Sequence, residues 1–245
     1  VGPQLHAVGT IAAAADDIAR DGLLPLADVA SAFSPDSFRP VDGRIDTAVF
    51  REIAEPARAG ADTVAAAAAS VRALDDTPLI GPVRAAVDDV TDLLDTGATA
   101  TDALARAATL LPAMLGASGE RTYLLAFQNN AEWRSTGGIV GAMAIVRTVD
   151  GRIELAGQAS SSDFSNFGEP VLPLDAEVER IYETRPGRYI QNVTQIPDFS
   201  VGGPLAREML LRQTGQSVDG VIATDPVALS YILDATGPIE LPTGD

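Results

Sequence analysis

The sequence predicts an α/β protein, with a long helical hairpin or bundle over residues 1–117 and a mixed sheet with packed helices over residues 118–245. Three observations carry this reading. Apolar residues in the first half recur at alternating steps of three and four, the spacing of one helix face. In Arg121–Val146 (RTYLLAFQNNAEWRSTGGIVGAMAIV), two bounded apolar runs flank a polar turn that holds glycines. Beyond it, short strand-like and helix-like runs alternate, the pattern of a sheet covered by helices.

Taken in order, residues 3–21 have helical composition, and Gly22 is placed to cap their end. A short helix is expected near Leu26 to Phe33, followed by a loop containing Pro35, Pro40 and Gly43. From Asp46, a capping residue, the stripe Phe50, Ile53, Ala57, Gly60, Val64, Ala67, Val71 and Leu74 predicts a long helix. Pro56 should kink it early, and Asp75-Asp76-Thr77-Pro78 ends it. A second stripe runs Val83, Val87, Val90, Leu94, Gly97, Thr101, Leu104, Ala108, Leu111 and Leu115. Two such stripes joined by a short turn predict an antiparallel helical hairpin, and their Ala and Gly seam predicts close approach. A structural spacer is the simpler role for it, because no buried Arg or aromatic cluster marks the stripes as a sensor.

Gly116-Ala117-Ser118-Gly119 is the expected boundary. Tyr123–Phe127 and Ile139–Val146 read as strands, and Asp150-Gly151 signals a hairpin that returns through Arg152 to Gln158. Helices are expected over Asp175 to Thr184, with Ile181 and Tyr182 inward, and over Leu205 to Thr214, with Pro204 near its start. Val218 to Thr224 reads as a strand, Pro226 to Ala235 as a helix capped by Asp225, and Ile239 to Leu241 as a last strand.

Composition narrows the chemistry. The net charge is −17, with 17 acidic and 8 basic residues in 1–117 and 17 and 9 in 118–245, so no basic face forms for nucleic acid. All basic residues are Arg, so any anion site must use a guanidinium fork. Without Cys, disulfides and thiolate chemistry are excluded, and His6 alone cannot build a histidine triad or multi-histidine metal site. Carboxylates, Arg, Ser and Thr remain. The chain begins with Val, so the native N-terminus is expected to precede it.

Three constellations stand out. Arg134 borders Ser135-Thr136-Gly137-Gly138, where glycines let backbone N–H groups converge on an anion held by the guanidinium. A glycine turn joining two strands is more often only a turn. Asp198 precedes the helix start at Ser200–Pro204, where it either caps the helix or holds a cation bridging to phosphate; spacing favours the cap. Arg185 and Arg188 lie near Asp163 and Glu169 in neighbouring loops, a group that also reads as solvated surface.

The segments YLLAFQNNAEWRSTGGIVGA, IPDFSVGG and VDGVIATDPVALSYILDATGPIEL, in that order, resemble the envelope family called domain of unknown function 4012 over about residues 118–245. That resemblance implies an extracytoplasmic protein of GC-rich Gram-positive bacteria, with a membrane-spanning anchor before the helical region. More distantly, TGQSVDGVIATDPVALSYILDATGPIEL is similar to the LytR-CpsA-Psr family of wall-polymer ligases. This implies an αβα core with an apolar tunnel for a polyprenyl carrier, Mg2+ as cofactor, and transfer of a glycan phosphate. By the same resemblance Arg134 corresponds to a catalytic Arg and grips phosphate, and Asp198 supports the reaction and the metal. Asn129, Asn130, Gly137, Gly138, Arg185 and Arg188 would surround the substrate, a polyprenyl-linked glycan or other wall component. A non-catalytic envelope scaffold that keeps the fold is the alternative.

Overall fold

The structure, a computed structural model, describes residues 1–24 and 40–237. The short helix expected near Leu26 to Phe33 and the last strand expected at Ile239 to Leu241 lie outside these residues. The chain divides into two units, Val1–Gly119 with Val149–Arg152, and Glu120–Thr148 with Ile153–Asp245.

The first unit is helical. Helix α1 spans Gly2–Asp17 and continues as a wider π turn over Ile18–Leu23. Gly22 does not end it in a left-handed cap. It lies within the wide turn, where a Cβ would make ordinary contact with Thr63 at 3.6 Å. Helix α2, Thr47–Arg72, starts as expected at Asp46, whose carboxylate accepts from the Ala48 N–H at 2.9 Å. Its buried face is Phe50, Ile53, Ala57, Gly60, Ala61, Val64, Ala67, Ala68 and Val71, the stripe read from the sequence, with Pro56 inside the helix. Helix α3, Gly81–Met114, has 34 residues, roughly 50 Å of rise.

The α3 stripe departs from its expected course after Thr101. Burial passes to Ala105, Ala108, Pro112 and Leu115, while Leu104 stands 43% exposed. Each step of three or four was possible there, and the smaller Ala105 fits against Ala57 and Ala61, a close seam that Leu would hold apart. Towards the other end, Ala7, Ala14, Ala67, Ala68, Val71, Leu79, Val87 and Leu94 form a second cluster. None of the described helices is long and apolar enough to cross a membrane.

The second unit is built on a four-stranded mixed sheet of order β3-β2-β1-β4. Strand β1 is Arg121–Asn129, β2 Ile139–Val149, β3 Arg152–Ser160 and β4 Gly220–Thr224. β1 pairs antiparallel with β2, from Arg121 opposite Thr148 to Asn129 opposite Ile139. The register slips at Phe127/Gln128, where β2 carries Gly141 as an extra residue. β2 turns into β3 through Asp150 (φ 46°) and Gly151 (φ 79°), the paired left-handed conformations of a tight hairpin. On its other side β1 pairs parallel with β4, from Tyr123 opposite Gly220 to Phe127 opposite Thr224.

Alternation along β1 buries Leu124, Ala126 and Gln128 on one face and leaves Tyr123, Leu125 and Phe127 partly open on the other. Against the buried face pack Leu205, Ala206, Met209 and Leu210 of helix α5, Phe199–Thr214, together with Ile190, Val193 and Ile196. Helix α4, Ala176–Tyr182, is shorter than expected, and Ile181 is exposed while Val178 and Tyr182 face the core. Helix α6, Pro226–Thr236, is capped by Asp225 as read from the sequence.

Helix α5 begins at Phe199, six residues before the expected start at Leu205. A Cβ at Gly202 would come within 2.4 Å of the Val193 carbonyl oxygen, so this glycine admits a neighbouring segment and does not break the helix. One at Gly203 would meet only the Phe199 ring, at 3.6 Å. Gly202→Ala is therefore expected to destabilise the protein by about 1–3 kcal/mol through overpacking. Gly203→Ala is expected to be neutral or to stabilise by up to about 1 kcal/mol through helix propensity. Urea unfolding of both variants checks the contrast, and equal effects would contradict it.

Candidate functional site

Because β1 and β4 run parallel, their carboxyl ends open at the same edge of the sheet, the place where ligands settle in sheets of this kind. The chain leaves β1 into the loop Asn130–Gly138 and leaves β4 at Asp225. Asn130 Nδ2 donates to Asp225 Oδ2 at 2.8 Å, joining residues 95 positions apart. The other Asp225 oxygen accepts from the Ala228 N–H at 2.7 Å and caps α6. These bonds, the Ala228 amide first and Asn130 second, hold the Asp225 carboxyl below the usual carboxylate range.

A second chain of contacts continues from there. Gln128, buried at the end of β1, donates through Nε2 to the Thr136 hydroxyl at 3.3 Å. Thr136 donates from its backbone N–H and its hydroxyl to the Thr194 carbonyl, at 3.3 and 3.2 Å. The β1–β2 loop is thereby tied to the 3-10 segment Ile190–Gln195, which runs under α5 through Gly202. Gly137 adopts φ +125°, and a Cβ there would lie 2.7 Å from Gln128 Oε1; one at Gly138 would lie 2.4 Å from the Asn129 carbonyl oxygen. Both glycines are explained by crowding. They let the loop fold back onto the end of β1.

This edge of the sheet also gathers unmet hydrogen bonds. Among the described residues, four buried side-chain atoms have no partner: Asn130 Oδ1, Arg134 Nε, Thr194 Oγ1 and Gln195 Oε1. Two belong to the β1–β2 loop, and two to the segment Thr136 binds. Leaving such a group buried and unpaired costs about 1–3 kcal/mol, and more for a charged one, so four on two adjoining segments require an explanation. Arg134 is half-buried, and its NH1 donates only to the carbonyl of Trp133, at 2.9 Å. Trp133, the single tryptophan, is 87% exposed beside it.

The remaining expected residues have other surroundings. Asn129 Oδ1 accepts from the Ala131 N–H at 3.1 Å and shapes the loop. Asp198 is exposed and caps α5, accepting from the Ser200 N–H at 2.8 Å; its bonds to Ser200 lower its pKa. Among the described residues no group of three or more acids or histidines is placed to hold a metal. Arg185 and Arg188 meet in a cleft of their own with Glu183, Thr184, Tyr189 and Asn192. No described hydrogen bond or ion pair joins either to Arg134.

Gln128 was not legible as a site residue because it ends an apolar strand run, and Thr194 and Gln195 were not because the polar stretch QNVTQ carries no anion-binding or catalytic pattern. Asp225 was read as a cap, without its bond to Asn130. The available signal was topological: two strands ending in polar residues, Asn129-Asn130 and Thr224-Asp225, which meet when the strands run parallel. In the helical unit the seam is not solid. An apolar groove of about 440 Å³ opens among Ile11, Ile18, Val64, Val90, Leu94 and Thr101, with no charged side chain in its lining.

The family model described as Protein of unknown function (DUF4012) matches residues 118–245, and the chain belongs to that family. No curated protein matches the chain, and no solved structure does.

The lowered carboxyl of Asp225 and that of Asp219, held down by the Thr122 amide and by Arg121, make a pH prediction. A folded-state pKa below the unfolded value gives stability that is present above about pH 4 and lost as pH falls through the folded pKa. The urea midpoint is expected to drop on acidification through that range, and to drop less steeply in Asp225→Asn. An identical acid profile in the variant would remove Asp225 from the linkage.

Proposed function

We propose, taking membership of that family as the premise, that the α/β unit is an extracytoplasmic cell-envelope domain of a membrane-anchored Gram-positive protein. Its ligand is a phosphorylated lipid carrier or lipid-linked wall precursor, bound at the carboxyl ends of β1 and β4. The observation that supports this is the buried, acceptor-less Nε of Arg134 among three other buried polar atoms without partners. A phosphoryl oxygen is the acceptor a guanidinium fits best. The side-chain amides of Asn130 and Gln195 suit the hydroxyl groups of an attached sugar, whereas Thr194 is fully buried and is not a ligand contact. Trp133, and Phe127 at 40% exposure, offer apolar surface for a prenyl chain.

Arg134 on a tight loop also meets the requirement of phosphoryl transfer, which rests on positioning and on charge stabilisation. Glycan-phosphate transfer of the LytR-CpsA-Psr type is the reaction such a site would serve. Asp198, the residue expected to support Mg2+, gives one carboxylate oxygen to the α5 cap. That same engagement favours a second reading, a non-catalytic envelope module that holds the ligand without transferring it. Glycan-phosphate transfer by the full-length protein in a magnesium-containing assay would exclude the second reading.

The single tryptophan next to Arg134 provides the binding test. Farnesyl phosphate is expected to change Trp133 fluorescence saturably, farnesol to bind much more weakly, and Arg134→Ala to lose about tenfold or more in affinity. Equal affinity in Arg134→Ala, with circular dichroism unchanged, would remove the site.

A further inference from the structure

The cleft around Arg185 and Arg188 is built differently from the Arg134 site and calls for a ligand of its own. It measures about 520 Å³ and is lined by Glu183, Thr184, Arg185, Arg188, Tyr189 and Asn192. That volume lies within the range of small-molecule clefts, roughly 300–1,000 Å³. Its floor is rigid, since Pro186, Gly187 and Ile190 are buried, and a Cβ at Gly187 would come within 2.8 Å of Pro170.

The two arginines are held unequally. Arg188 donates through Nε to the Phe167 carbonyl at 2.8 Å and through NH2 to Asn166 Oδ1 at 3.3 Å. Its guanidinium carbon also stands 5.7 Å from the centre of the Tyr189 ring, so it is fixed in place. Arg185, 65% exposed, has one loose partner among the described residues, Glu183 Oε2 at 3.5 Å from its Nε. Its fork remains available for a bidentate anion. Glu183, which brings its carboxylate into the cleft, has φ +56°, a conformation that side-chain-bearing residues rarely adopt and that concentrates at functional sites.

The charges of the lining sum to one positive, from two arginines against one glutamate, in a chain of net charge −17. A phosphate, which concentrates its charge on one group, would face Glu183 across the same small cleft. A sugar unit with one carboxylate and several hydroxyls matches Arg185 and the uncharged lining instead, while Arg188 is held by its own partners. Arg185 would take the carboxylate, Glu183 would accept from hydroxyls, Asn192 and Thr184 can both donate and accept, and Tyr189 offers a ring edge or face. We infer that this cleft binds an acidic saccharide, a uronate-type sugar unit, and that it does so independently of Arg134.

Calorimetry on the full chain with trigalacturonate, the neutral α-1,4-linked trisaccharide maltotriose, and tetraglutamate tests this. Trigalacturonate is expected to bind at least about tenfold more tightly than the other two, and to lose about tenfold or more in Arg185→Ala. Arg185→Lys is expected to recover only part of that loss, because it restores the charge without the fork. Asn192→Ala, which removes no described side-chain hydrogen bond, is expected to weaken binding as well, whereas Arg134→Ala leaves it unchanged. Equal binding of maltotriose or tetraglutamate, or an unaltered affinity in Arg185→Ala, would overturn the assignment. Loss of trigalacturonate binding in Arg134→Ala would overturn its independence. A failure here leaves the farnesyl phosphate result untouched, so the two sites stand or fall separately.

Discussion

The parallel pairing of β1 with β4 is the constraint on which the α/β unit depends. It joins strands nearly a hundred residues apart, and such long-range pairing needs specific anchors to offset the entropy of closing the connection. Asp219 anchors the entry. Its backbone N–H donates to the Thr122 carbonyl at 2.7 Å, and its carboxylate accepts from the Thr122 N–H at 2.8 Å and from Arg121 at 3.0 Å. Asn130 and Asp225 join the exits at 2.8 Å. With both ends fixed, the β1–β2 loop and the start of α6 must share one edge, and the candidate site follows from that placement.

Small residues let the surrounding segments close on that edge. Gly137 and Gly138 fold the loop onto the end of β1, and Gly202 admits the Val193 carbonyl against α5. In the helical unit the same economy of size appears as a seam of Ala57, Ala61 and Ala105. Neither set by itself marks a ligand site. What distinguishes the sheet edge is that its crowding leaves Arg134 Nε, Asn130 Oδ1, Thr194 Oγ1 and Gln195 Oε1 buried without partners.

Local physics was legible in the sequence, and long-range geometry was not. The α2 stripe, the caps Asp46 and Asp225 and the Asp150-Gly151 hairpin each rest on residues within a few positions of one another. Leu104 was misplaced because helix spacing alone cannot choose between adjacent steps; the partner helix chose the smaller Ala105. Gly202 was expected ahead of the helix and lies inside it, since sequence does not tell a glycine that precedes a helix from one that lets another segment approach. At the site, Arg134 was visible through its glycine turn. Thr194 was hidden, because its link to Thr136 spans 58 residues.

The most direct test observes the Arg134 side chain itself. With Arg134 Nε–H assigned by nitrogen-15 NMR, titration with farnesyl phosphate should move that resonance downfield and slow its exchange with water, while Arg185 Nε–H stays in place. An Arg134 signal that neither shifts nor gains protection at saturating ligand would contradict the site at the β1–β4 edge.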